Sequence, residues 1–315
     1  MTSASPASAD TPSTPAAMTT LLPSFRATLR AFTASPATAF QHIRSTTAAP
    51  LSAAKQLFVL DSSFNPPTKA HFRIALSAFN DSTATTTNTT AGSAAAAAAA
   101  EKRLLLLLAT NNADKAPKPA PFDDRLAMMT LLSSEVSALS STCTSPTTPA
   151  AVDVALTKHA RFLDKASALR SEYTGAHEFV FLTGFDTLVR IFDPRYYPEA
   201  EHRLDGLSAF FERGVVWCMF REGEGYGGRR EQEAWLDGLR GGKLEGVGGR
   251  REWAGRVRFI ENDAGEVVSS TKVREAVKGG NGEVLEALLT KSVREYVLER
   301  GLYLDDGGGG AGFDH

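Results

Sequence analysis

The sequence has little cysteine. Cys143 and Cys218 are its two thiols in 315 residues. One lies in a Ser/Thr/Pro stretch and the other inside an apolar run. Two such thiols cannot build a zinc cage alone, and they suggest no disulfide framework. An excess of positive charge is also missing: 34 Lys and Arg face 36 Asp and Glu, a formal net charge of −2 at pH 7. A nucleic-acid surface needs a basic patch, so no nucleic-acid partner is expected. No apolar run approaches the roughly 20 residues of a membrane helix, so no membrane partner is expected either. The longest run, Leu104–Leu108 with its flanks, is strand-sized. What is present is an ordinary hydrophobic fraction of 43%, enough for a sizeable core in one large or two small domains.

The stretch Leu57–His71 organises the chain. Leu57-Phe58-Val59-Leu60 reads as a buried strand. The chain breaks at Asp61-Ser62-Ser63, passes Asn65-Pro66-Pro67, and resumes at Thr68 as a helix with apolar positions Phe72, Ile74, Ala75, Leu76 and Phe79. A helix start offers free N–H groups to a phosphate. Thr68 is a suitable N-cap, and His71 falls on the first turn beside the same anion.

A second stretch, Val268-Ser269-Ser270-Thr271-Lys272-Val273-Arg274, opens another helix. Its hydroxyls and first-turn N–H groups can hold phosphate oxygens, and Arg274 adds a fork of donors. Gly184-Phe185-Asp186-Thr187 follows a buried strand. Glycine there admits a ligand to the backbone, and Asp186 either accepts from a ribose hydroxyl or caps the next helix.

Together these stretches resemble the nucleotidylyltransferase superfamily. Its first signature is Gly-Gly-Ser-Phe-Asn-Pro-Pro-His-x-Gly-His and its second Ile-Ser-Ser-Thr-x-Ile-Arg. The nicotinamide mononucleotide adenylyltransferases within it often place Thr where Thr68 stands, and a divergent, fungal-type member would fit the insertions. The resemblance implies backbone contacts from Ser63 and Phe64 and ATP phosphates held by Thr68, His71, Ser270, Thr271 and Arg274. It also implies contacts to the nucleotide's sugar or base from Gly184, Asp186 and Thr187. The loop Asp114–Lys118 resembles the family's lysine-bearing stretch, with Lys115 the choice for phosphate and Lys118 the alternative. Two departures stand out: Asp61 and Ser62 replace the paired glycines, and Ala70 replaces the glycine before the second His. For a stacking partner to the nicotinamide ring, Phe162 and Phe185 are the candidates, and Trp217 less so because it falls inside a strand.

Along the chain, residues 1–50 read as a low-complexity tail with a short helix. Leu22, Phe25, Leu29 and Phe32 recur at helical spacing, and Asp10 is the sole acid against Arg26, Arg30 and Arg44. This is either a tail that docks on the domain or a mitochondrial presequence; without such targeting the expected compartment is cytoplasmic, nuclear or both. A single domain spans 51–304, with a disordered insert at 81–100 and a flexible tail at 305–315. Strands are predicted at Leu104–Leu108, Val152–Leu156, His177–Thr183, Val215–Phe220 and Val257–Ile260, alternating with helices. The segment Ser133–Pro149 reads as a loose loop. Alternation of this kind predicts an α/β fold with a Rossmann-like, doubly wound parallel sheet, and the resemblance implies that it is of the nucleotidylyltransferase type.

Two glycine-rich decoys are set aside. Gly223–Gly228 contains G-x-G-x-x-G but starts beyond its strand and reads as a flexible loop, and Gly238–Lys243 has Leu244 where a P-loop needs Ser or Thr. The resemblance implies adenylyl transfer from ATP, taken with Mg2+, to nicotinamide mononucleotide, giving NAD and pyrophosphate, with nicotinate mononucleotide as the other pyridine nucleotide partner. Alternatives are another phosphorylated acceptor, an ATP-hydrolysing protein, or a nucleotide-binding protein of the same fold.

Overall fold

The computed structural model describes residues 14–80, 101–111, 119–144, 150–197, 203–220, 227–261 and 269–304, with side chains from 141 to 144 excepted. The expectations for the insert 81–100, for Lys115 and Lys118, for Val268, for Gly223–Gly225 and for the tail 305–315 lie outside those residues.

A seven-stranded sheet runs through the centre in the order β1-β4-β3-β2-β5-β6-β7. Its strands are β1 (Phe40–Ser45), β2 (Gln56–Asp61), β3 (Lys102–Ala109), β4 (Ala151–Thr157), β5 (Glu178–Gly184), β6 (Gly214–Met219) and β7 (Val257–Ile260). Every pairing is parallel except β1 with β4. Without β1, the order is that of a doubly wound fold, and the order reverses between β2 and β5. Ligands in such sheets bind in the crevice at that reversal, outside the carboxyl ends of the strands.

Both faces of the sheet are covered, which is why its strands read as continuous apolar runs. Phe58, Leu60, Leu104, Leu106, Leu108, Val180 and Leu182 face one core. That core is shared with α1 (Pro15–Ala34), α2 (Lys69–Asn80), α3 (Phe122–Thr144), α8 (Ser270–Lys278), α9 (Gly282–Leu288) and α10 (Lys291–Glu299). Leu57, Val59, Leu105, Leu107, Phe179 and Phe181 face the other. There the cover is α4 (Phe162–Glu172), α5 (Phe185–Ile191), α6 (Leu207–Phe211) and α7 (Arg229–Arg240). Each leucine or phenylalanine fully buried this way contributes about 1.5–3 kcal/mol.

The N-terminal helix, expected as a short one docked on the domain, is docked but longer, and two further elements depart from the sequence expectation. Residues 15–34 form a 20-residue helix whose Met18, Leu22, Phe25 and Phe32 are buried, and Arg26 pairs with Asp123 of α3 at 2.6 Å. Phe40–Ser45 then adds an antiparallel edge strand to the sheet. In α3, the helix continues through the serine-rich part read as a loose loop. Its hydroxyls bond back to the helix, Ser133 to the Thr130 carbonyl and Ser140 to that of Val136, both at 2.8 Å. Ser137 instead reaches the Ala150 carbonyl at 2.7 Å. Serine competes with helix only while its hydroxyl seeks other backbone groups; here those demands are met inside the fold.

Candidate active site

The loop after β2 stands at the reversal point. Ser63 is exposed there, whereas Phe64 is fully buried and holds a left-handed backbone with φ 45°. A non-glycine residue in that region costs about 1 kcal/mol or more; burial of the Phe64 ring, 5.3 Å from the His71 ring centre, offsets it. The next peptide, Asn65–Pro66, is cis.

His71 is fixed from both ring nitrogens. Nδ1 accepts from the Thr68 backbone N–H at 3.0 Å, with Thr68 Oγ1 also 2.9 Å away. Nδ1 is therefore the acceptor, and the neutral ring carries its proton on Nε2. Nε2 lies 2.9 Å from Ser62 Oγ. Thr68 sits just before α2, as expected of a helix start, but its side chain serves His71.

The second signature meets the first directly. Ser269, rather than Ser270 or Thr271, caps α8, accepting from the Lys272 N–H at 3.2 Å. Ser270 Oγ donates to the Pro66 carbonyl at 2.9 Å. Arg274 sends Nη1 to the Asn65 carbonyl at 2.9 Å, across 209 residues of sequence, and Nη2 to Thr271 Oγ1 at 3.0 Å. Thr271 itself is exposed. Two segments predicted to share a phosphate thus share a backbone clamp.

Behind the loop lie residues that the sequence left without a role. Asn65 Oδ1 accepts from the Ala120 N–H at 3.3 Å and from Tyr303 Oη at 2.9 Å. Tyr303 is 7% exposed; burial pushes its phenol above its usual value, and the charges of Arg125 and Arg274 oppose the rise. Arg125 is buried over the Phe122 ring and donates from Nε to the Ala120 carbonyl at 2.9 Å. Its Nη2 has no partner among the described residues. Burial lowers the Arg125 pKa; Tyr303 raises it, and Arg274 lowers it further. The phenylalanine and asparagine of the first signature gave a signal for Asn65. Nothing in spacing marked Tyr303, which stands 238 residues away from it.

Across the reversal point, Gly184 ends β5 and Asp186 lies in the first turn of α5. A Cβ at Gly184 would stand 3.0 Å from Asp186 Oδ1, so glycine leaves the carboxylate its place. Thr187 is half-buried beside it. Of the aromatic candidates, Trp217 is buried in β6 against Phe58. Phe185 lies in a cluster with Trp235 and Phe259. Phe162 packs on Phe181 and carries the Lys165 ammonium 5.0 Å from its ring centre. Lys165 in turn pairs with Asp61 at 2.5 Å. Gly241, from the second glycine-rich decoy, is the C-cap of α7.

Comparison with known proteins gives the arrangement a family. No family model matches the chain. A Schizosaccharomyces pombe protein provisionally named a nicotinamide mononucleotide adenylyltransferase is 33% identical over 241 residues, 76% of this chain and 82% of its own length. Among solved structures, the nicotinic acid mononucleotide adenylyltransferase of Plasmodium falciparum, complexed with NaAD, aligns at a TM-score of 0.46 with 13% identity, over 79% of this chain and 97% of its own. A protein from Vibrio parahaemolyticus provisionally named a nicotinate-nucleotide adenylyltransferase aligns at 0.41 with 14% identity, over 80% of this chain and 96% of its own. The assignment rests on the Schizosaccharomyces pombe relative alone: with that identity and coverage, the chain belongs to the nicotinamide mononucleotide adenylyltransferase family of nucleotide-binding transferases.

Proposed function

We propose that the protein transfers the adenylyl group of ATP to a pyridine mononucleotide, and that the acceptor is nicotinamide mononucleotide, giving NAD and pyrophosphate. The observation that carries this reading is the clamp of Asn65 and Pro66 by Ser270 and Arg274 at the end of β2, in a chain whose relative bears that activity in its name.

In the reaction, an oxygen of the acceptor's 5′-phosphate bonds to the α-phosphorus of ATP while the bond to the bridging oxygen breaks. Pyrophosphate leaves with the electron pair. The attacking phosphate is already anionic at neutral pH, so no protein base is needed. Catalysis is positioning plus compensation of charge developing on the phosphates. His71 suits this as a donor through Nε2–H, with a phosphate oxygen taking the place of Ser62 Oγ. Arg274 and the start of α8 supply positive potential. Magnesium enters with the triphosphate as part of the substrate. Such a cation is carried mainly by phosphate oxygens and needs few protein ligands.

The test offers the purified chain MgATP with nicotinamide mononucleotide or nicotinate mononucleotide, and separates the dinucleotide products chromatographically. NAD from the first, with the higher kcat/KM, supports the proposal. A higher kcat/KM for the nicotinate form moves the acceptor. No dinucleotide from either overturns the reading.

A further inference from the structure

The paired glycines of the family signature are replaced here by Asp61 and Ser62, and Asp61 has a buried partner. It is the last residue of β2, at the point where the strand order reverses. By the two-residue period of a strand, it shares a face with Leu57 and Val59, the α4 side of the sheet. Thr68, His71 and Arg274 belong to elements on the opposite face, where Ala75 of α2 and Val273 of α8 are buried. On the α4 side, Lys165 Nζ lies 2.5 Å from Asp61 Oδ2, with side chains only 4% and 11% exposed. The Phe162 ring flanks the ammonium at 5.0 Å. The residue after Asp61 is Ser62, which touches His71.

A carboxylate at the mouth of a triphosphate site is a liability, because like charge opposes the ligand. A buried ion pair is also weak ground for stability, since apolar residues of similar volume often serve as well. Both considerations point the same way. We propose that Lys165 is a positioning residue for the nucleotide: it neutralises Asp61 and holds it on the α4 side, so that the end of β2 presents hydroxyl and backbone donors without net negative charge. The proposal rests on the adenylyl-transfer reading and deepens it.

The experiment compares Lys165→Met, Asp61→Asn and the double variant with the wild-type chain, reading KM for MgATP, kcat, melting temperature and calorimetric MgATP affinity. Lys165→Met leaves a lone carboxylate and is expected to raise KM for MgATP by about tenfold or more, since like-charge juxtaposition is strongly disfavoured. The double variant carries neither charge and is expected to return KM to within about threefold of wild type. Asp61→Asn leaves a lone ammonium and is expected to tighten MgATP.

A pair that only supports the fold would lower the melting temperature of both Lys165→Met and the double variant, with MgATP affinity indifferent to the charge at position 61. That result overturns the proposal. Should Lys165→Met fail to fold, Asp61→Asn decides: weaker or unchanged MgATP affinity overturns the proposal. Should the wild type make no dinucleotide, the functional reading falls, and the calorimetric order of affinities still judges the pair by itself.

Discussion

Polar clusters stand at the two ends of this sheet, and they are built differently. At the amino end, Asp153 of β4 takes Arg103 in a fork, Nε to Oδ2 at 2.5 Å and Nη2 to Oδ1 at 2.8 Å. Tyr173 Oη donates to the same carboxylate at 2.9 Å, and His42 Nε2 lies 3.3 Å from it. Arg103 also reaches the carbonyls of Ala49 and Pro50 and the hydroxyl of Ser45. This cluster closes on itself and ties β1 and the following turn to the sheet. At the carboxyl end, the bonds run between loops: β2 to α2 through Ser62 and His71, and β2 to α8 through Asn65 and Arg274. Donors remain on offer there, with Ser63 and Thr271 exposed and the Arg125 Nη2 without a partner among the described residues. Enclosed polar groups consolidate a fold, whereas groups left on loops at a strand-order reversal are available to a ligand.

If that contrast is right, breaking the amino-end cluster costs stability and breaking the carboxyl-end cluster costs activity. The largest effect expected is from Arg103→Met, which strips a buried carboxylate of its main partner. A loss of about 3–5 kcal/mol in chemical denaturation is expected, with specific activity of the folded fraction unchanged. Next comes Arg274→Met, expected to lower kcat/KM by about 10²–10³, the scale for loss of one preorganised donor, with the melting temperature nearly held. Equal losses of stability from both variants would erase the contrast.

His71 sharpens the chemistry proposed for the carboxyl end. His71→Asn keeps a donor and should lose less than about tenfold in kcat, whereas removal of a general base typically costs about 10² or more. Steady-state kcat of the variant and of wild type at neutral pH decides between the two roles.

A smaller effect should appear with acid. Burial alone would raise the Asp153 carboxyl, but hydrogen bonds from His42 and Arg103, and their charges, hold it below its usual value. A carboxyl lowered on folding contributes stability that is present above its unfolded pKa of about 3.9 and is lost as pH falls through the folded value. Melting curves of wild type should therefore steepen in their decline below about pH 4, and those of Asp153→Asn should lack that component. The smallest change is Tyr303→Phe, which leaves Asn65 Oδ1 with the Ala120 N–H. About 1 kcal/mol is expected, seen as a modest rise in KM for MgATP.

The carboxyl end was far more legible in the sequence than the amino end, for physical reasons. Leu57–Leu60 and Leu104–Leu108 announce buried strands because both faces are covered, and Pro66-Pro67 with Thr68 punctuates the turn into α2. The strand β1 shows no such signal: all six of its residues are only partly buried, so Phe40-Gln41-His42-Ile43 neither alternates nor runs apolar. The serines of α3 read as loop because their satisfying carbonyls are visible only in the folded helix. The pairing of Asp61 with Lys165 spans 104 residues and depends on how the crossover places α4, which no local pattern encodes. Asp61 could be recognised as a departure, but its partner could not.

The most direct test of the whole account is acceptor-dependent pyrophosphate release from MgATP, measured in parallel for wild type, Arg274→Met and Arg103→Met at a temperature where all three are folded. Release with nicotinamide mononucleotide is expected for wild type and Arg103→Met, and a loss of about 10² or more for Arg274→Met. Equal rates for Arg274→Met and wild type, or release that ignores the acceptor, would contradict it.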